Sequence, residues 1–116
     1  MSSLLIKQQL FTRLVVKLIQ HANELGYELT MGECWRPDAT AKFYEEKGIG
    51  SKNSLHRIRL AIDLQLFKNG EWLKETEDHR PLGEFWEKLS TEDLECAWGG
   101  RFGDGNHYAI AHQGMR

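Results

Sequence analysis

Asn69-Gly70 is the sequence feature that most narrows the fold. A two-residue type I′ turn needs φ > 0 at both positions, and Asn followed by Gly meets that need at least cost. The dipeptide follows a run in which Ile58, Leu60, Ile62 and Leu64 fall on one side, and it precedes Glu71-Trp72-Leu73. The spacing predicts a strand from Ile58 to Phe67 that turns at Asn69 and pairs back antiparallel.

The flanking segments have a different period. Phe11, Leu14, Val15, Leu18, Ala22 and Leu25 recur at helical spacing, and Gly26 stands where a helix-closing glycine would. A helix is expected from about residue 3 to 25. "YELTM" then alternates Tyr27, Leu29 and Met31 against Glu28 and Thr30, the pattern of a strand with one buried face. Pro37-Asp38 opens a short helix through "ATAKFYEEK", closed by Gly48, and "GIGSKNS" reads as a loop. Leu82, Phe85, Trp86 and Leu89 form another helical stripe, with Pro81 near its first turn. The glycine-rich "AWGGRFGDGN" reads as a loop feeding a last strand. Helices around a small antiparallel sheet make an α+β domain, one domain over residues 1–116.

Composition limits the partners. The chain is 41% hydrophobic and 28% charged, the balance of a globular protein. Its 15 basic and 17 acidic residues nearly cancel, which argues against nucleic acid as a partner. The apolar start is interrupted by Lys7, Arg13 and Lys17, so an amphipathic helix is expected rather than a signal peptide or a membrane insertion. Synthesis in the cytoplasm follows, and a monomer is expected. Cys34 and Cys96 stand far apart and read as reduced, partly buried thiols. His21 and His79 read as solvent-facing, and His112 ranks below His107 as a functional residue.

His56 and Asp63 in "SLHRIRLAID" raise the functional question. Two ligands of one zinc ion must approach to roughly 3–3.5 Å. Seven residues of straight strand would hold them about 23 Å apart. The chain must therefore bend near residues 57–59, with His56 on the loop and Asp63 on the strand. His107, on the last strand, is the natural third ligand, and two histidines with one carboxylate leave a fourth position for water. The alternative is a strand facing water, with Asp63 paired to an arginine. Asp104, three residues before His107, is placed to act as a base toward a metal-activated water, or is simply a turn residue beside glycines. Arg36, in "GECWRPD", suits a substrate carboxylate, or else forms an ordinary surface ion pair.

Together "ECWRPD", "SLHRIRLAID" and "WGGRFGDGNHY" resemble the zinc D-alanyl-D-alanine carboxypeptidase family, and within it the small L-alanyl-D-glutamate endopeptidases of phage endolysins. Ser54, His56, Ala61 and Asp63 match the family's Ser-x-His and Ala-x-Asp. Trp98, Gly99, Gly100, Asp104, His107 and Tyr108 match its Trp-Gly-Gly and Asp-x-x-His-aromatic. The resemblance spans roughly residues 25 to 112. It implies a Hedgehog/DD-peptidase-like fold with zinc held by His56, Asp63 and His107. It also implies Asp104 as catalytic base, Arg36 and Ser54 toward substrate, and a peptidoglycan stem peptide as substrate, cut at the cell wall. Cleavage of D-Ala–D-Ala is the alternative activity, and a wall-binding or phage structural module of the same fold is the non-catalytic one. A metal-free α+β domain is the third. Two positions depart from the pattern. Arg59 replaces the usual glycine, and Ala39 and Ala41 stand where Gln or Glu is common.

Overall fold

The computed structural model describes residues 3–48 and 54–116. Helix α1, Ser3–Glu24, opens the chain. Phe11, Val15, Leu18 and Ala22 recur every three or four residues and are all buried, a single apolar stripe along the helix. The chain leaves it through Gly26 at φ 89°, a left-handed geometry that costs glycine little. Strand β1, Glu28–Met31, follows, and then helix α2, Asp38–Glu46. The loop expected from Gly48 to Ser54 lies, apart from its ends, outside the described residues.

Strand β2, Ala61–Lys68, is the centre of the sheet. One of its edges pairs with β1, from Glu28 opposite Phe67 to Met31 opposite Leu64. The other edge is shared. Residues 66–68 pair with β3, Glu71–Leu73, through the Asn69-Gly70 turn, and residues 61–63 pair with β5, His107–Ile110. Asn69 at φ 53° and Gly70 at φ 78° have the two positive angles of a type I′ turn. Strand β4, Cys96–Trp98, adds beyond β5 to give the order β1-β2-β5-β4.

Ile62, Leu64, Leu66, Tyr108 and Ile110 put their side chains on one buried face of this sheet. Helix α1 and helix α3, Arg80–Lys88, cover it. Trp86 of α3 meets Phe11 and Tyr108 edge to face, and its indole N–H donates to the Ala109 carbonyl at 3.0 Å. Trp98 is locked on the same side. Its indole N–H donates to the Gly105 carbonyl at 2.7 Å. A Cβ on Gly83 or on Gly100 would come within 2.1 Å of its ring, so both glycines are there for close approach. Among the described residues no helix is long and apolar enough to cross a membrane.

Several sequence expectations change. The central strand starts at Ala61, not at Ile58, because a 3-10 helix, Leu55–Ile58, precedes it. That turn ends with Arg59 at φ 60°, ψ 36°, while Leu60 N–H donates to the Leu55 carbonyl. This is the pattern of a Schellman stop, with arginine where glycine is favoured. It is also the bend required between His56 and Asp63. Met31 is 64% exposed, because an apolar hollow of about 310 Å³ separates it from Phe11 and Val15 on α1. Strand β4 forms where the sequence pattern predicts a loop, because its three residues are too few to show a period.

The histidines and cysteines are also corrected. His79 is buried, at 2% exposure, because the 3-10 helix Thr76–His79 folds it against Tyr108, whose hydroxyl lies 2.8 Å from its Nδ1. His21 is half-buried and stacks flat on Phe85 at 3.8 Å. Both cysteines are free as expected, but Cys34 is exposed and Cys96 fully buried.

Two measurements test this account. Arg59→Gly should be more stable than Arg59→Ala by about 1 kcal/mol in urea melts, since both lose the contact with Trp35 and only alanine keeps the left-handed strain. The reverse order would mean that Arg59 is not held at positive φ. Burial holds the His79 imidazole down at about 4. The unfolded chain therefore takes up this proton first as pH falls, so His79 stabilises the fold fully above about 6.5 and progressively less toward 4. That loss should be on the order of 3 kcal/mol, and His79→Asn should flatten the profile of stability between pH 7.5 and 4.5.

Candidate metal centre

Antiparallel register brings the first two candidate ligands together. Asp63 of β2 stands directly opposite His107 of β5. Directly opposed residues in an antiparallel pair put their side chains on the same face. The backbone groups of Asp63 are bonded to the other edge: its N–H donates to the Glu33 carbonyl at 2.7 Å, and its carbonyl accepts from Gly32 N–H at 2.8 Å. The His107 N–H donates to the Asp104 carbonyl at 3.1 Å. Asp63 and His107 are therefore a non-hydrogen-bonded pair, the kind in which side chains come closest. Asp63 alternates with Ile62 and Leu64, so its carboxylate lies on the face away from the helices.

The 3-10 turn supplies the third. The Ser54 hydroxyl accepts from the His56 N–H at 3.1 Å and caps the turn. His56 Nδ1 lies 2.9 Å from the Cys34 carbonyl oxygen. A carbonyl only accepts, so Nδ1 carries the proton and Nε2 of the neutral ring presents a lone pair. That lone pair faces Asp63 Oδ1 at 3.4 Å, and His107 Nδ1 faces the same oxygen at 3.5 Å. The two imidazoles lie edge to face with centroids 5.3 Å apart.

One ligand atom from each of His56, Asp63 and His107 lies within 4.8 Å of the others. Two of the separations, 3.4 Å from His56 Nε2 and 3.5 Å from His107 Nδ1 to Asp63 Oδ1, match the roughly 3–3.5 Å between ligands of one divalent cation. Asp63 Oδ1 and His107 Nε2 are buried and make no hydrogen bond among the described residues. A buried carboxylate oxygen facing an imidazole lone pair asks for a proton or a cation between them. Burial pushes the Asp63 carboxyl up, but the His107 and His56 rings beside it outweigh burial and hold it down at about 2. Burial also pulls the His56 ring down, and Asp63 with the Cys34 carbonyl raises it above the ordinary histidine value on balance. The donor set, two imidazoles and one ionised carboxylate, fits zinc.

The remaining candidates surround this cluster. Asp104 is half-exposed, with Oδ2 4.0 Å from His107 Nδ1, and its carboxyl is raised, chiefly by burial. Gly99 makes room for this loop: a Cβ there would lie 2.2 Å from the Asp104 carbonyl oxygen. Arg36 packs its guanidinium against the Tyr44 ring and pairs with Glu33, Nε donating at 2.6 Å. Its backbone N–H donates to the His56 carbonyl at 3.0 Å, so the segment carrying Arg36 is tied to the 3-10 turn. The sequence reading did not pick out Glu33 or the Cys34 carbonyl. The first was legible as an acid three residues before Arg36. The second is a backbone group and leaves no side-chain signal.

The chain matches no protein-family model and no curated protein. Among solved structures it is similar to the crystal structure of Serratia marcescens L-Ala D-Glu endopeptidase ChiX, with a TM-score of 0.67 over 83% of this chain and 77% of that chain. Sequence identity is 20%, and the likeness is one of fold. That fold is the α+β arrangement expected from the hairpin and its flanking helices.

Proposed function

We propose that this chain is a zinc peptidase that hydrolyses peptidoglycan stem peptides, as an L-alanyl-D-glutamate endopeptidase of the endolysin type acting on the cell wall. One observation carries the reading: the convergence of His56, Asp63 and His107 around a buried carboxylate oxygen with no hydrogen-bond partner among the described residues. The fold shared with an L-Ala D-Glu endopeptidase supports the choice of substrate.

His56, Asp63 and His107 would hold the ion. When bound, zinc would supply Lewis acidity toward the scissile carbonyl and acidify a water. The protein's own groups do the rest. The Cys34 carbonyl fixes the His56 tautomer, so that Nε2 would be the edge available to the ion. Asp104 takes the proton from the attacking water and returns it to the departing amine. Arg36, held in place by Glu33 and Tyr44, contacts a substrate carboxylate with the part of its guanidinium that Glu33 leaves available. Ser54 acts through the turn it caps and borders the substrate.

His107→Ala should abolish both zinc uptake, read by metal analysis of the purified protein, and release of stem-peptide fragments from murein, read by mass spectrometry. Full murein digestion by that variant would remove the metal centre from the mechanism. Asp104→Asn should still bind zinc and lose activity by about a hundredfold to ten-thousandfold. Unchanged turnover in that variant would take Asp104 out of the proton path. A non-catalytic wall-binding module would bind zinc and release no fragment at all.

A further inference from the structure

Helix α1 has two surfaces. One apolar stripe closes the core, yet Leu5, Ile6, Leu10 and Val16 of the same helix are exposed. Residues 3–23 contain no Asp or Glu, so Lys7, Arg13 and Lys17 are balanced within the helix only by Glu24, in a chain whose formal charge is -2. The Lys7 ammonium is engaged with His112 Nδ1 at 3.1 Å. Arg13 and Lys17 are exposed and have no acidic partner among the described residues. A helix surface of charges alone is simply solvated. One that interleaves exposed aliphatic side chains with unpaired cations is what an interfacial helix presents to lipid.

This surface continues past the helix. Val16 lies one turn beyond Thr12, and Thr12 borders the apolar hollow of about 310 Å³ between α1 and the end of β1. Phe11, Val15, Met31, Trp35, Arg59 and Ile62 also line that hollow. Met31 and Trp35 are exposed, and the Trp35 indole N–H donates to the Arg57 carbonyl at 3.2 Å. The Arg59 guanidinium lies over the Trp35 ring, 4.3 Å from its centroid, with no acidic partner among the described residues. Arg59 stands at φ 60°, where glycine costs less, so the chain carries this guanidinium at a cost in backbone strain. Tryptophan and arginine beside apolar groups are the side chains favoured where hydrocarbon meets headgroups.

We propose that α1 and the hollow at its flank dock on an anionic lipid bilayer. Arg13, Lys17 and Arg59 meet the headgroups, Leu5, Val16, Met31 and Trp35 enter the interface, and part of one acyl chain lodges in the hollow. A second copy of the chain is a poorer occupant, because it would bring the unpaired cations of two molecules together. Helix α1 and the candidate ligands lie on opposite faces of the sheet, so a docked molecule holds the metal centre away from the lipid. The docking needs no catalysis and stands whichever reaction that centre performs.

The test mixes the full chain with sucrose-loaded vesicles, either of phosphatidylcholine alone or of equimolar phosphatidylcholine and phosphatidylglycerol, and reads the bound fraction by sedimentation. The wild type should sediment with the anionic vesicles far more than with the neutral ones, and high salt should release part of it. Arg13→Glu combined with Lys17→Glu should lower partitioning by about tenfold or more. Val16→Gln and Met31→Gln remove apolar surface without changing charge, and each should lower it several-fold at an unchanged thermal midpoint. Arg59→Gly removes the cation and the strain together, and should stay folded while binding less. Equal partitioning into the two kinds of vesicle, or binding indifferent to both glutamine substitutions, would overturn the proposal. Binding to heparin with none to anionic vesicles would make the face a general polyanion site and overturn it as well.

Discussion

The pairing of β2 with β5 is the constraint on which the site depends. It sets Asp63 against His107 in a non-hydrogen-bonded position, where side chains come closest. The backbone of Asp63 is tied to Gly32 and Glu33 on the opposite edge. A slip of one residue in this register would turn Asp63 into the core and Ile62 or Leu64 out of it. The apolar face under α1 and α3 therefore enforces the position of the carboxylate on the other face. Hydrophobic burial selects the register, and the register builds the polar cluster.

The cluster is held by groups that do not themselves belong to it. The Leu55–Ile58 turn brings His56 back to Asp63, and it is capped by Ser54 at one end and stopped by Arg59 at the other. The Cys34 carbonyl selects the His56 tautomer. Gly99 allows the loop bearing Asp104 to pass close to its own start. On the far side, Trp98 fills the space between Gly83 and Gly100 and bonds to the Gly105 carbonyl, which ties the core to the same loop. Tyr108 links the layers again, packing on Trp86 in the core while its hydroxyl lies 2.8 Å from His79 Nδ1.

Much of this was legible from residues alone where a local rule acts. The helical stripe of α1, the Asn69-Gly70 turn and Pro81 near the start of α3 each obey short-range sterics and periodicity. The expected bend between His56 and Asp63 came from distance arithmetic, and the Arg59 turn supplies it. The misses share one cause. Met31 has a buried-strand pattern, but an apolar hollow lies between it and α1. His79 lies in a charged segment and reads as exposed, yet a short turn folds it under the sheet. β4 is strand only because β5 lies beside it.

By itself the sequence determined the types of element, the antiparallel hairpin and the residues available for a metal, because these follow from φ preferences, apolar spacing and side-chain chemistry. Only the tertiary structure decided that His56, Asp63 and His107 share one oxygen-centred cluster, that Arg36 pairs with Glu33 and that His79 is buried against the Tyr108 hydroxyl. Those facts depend on contacts between residues distant along the chain, and they are set by which faces of the sheet the helices cover.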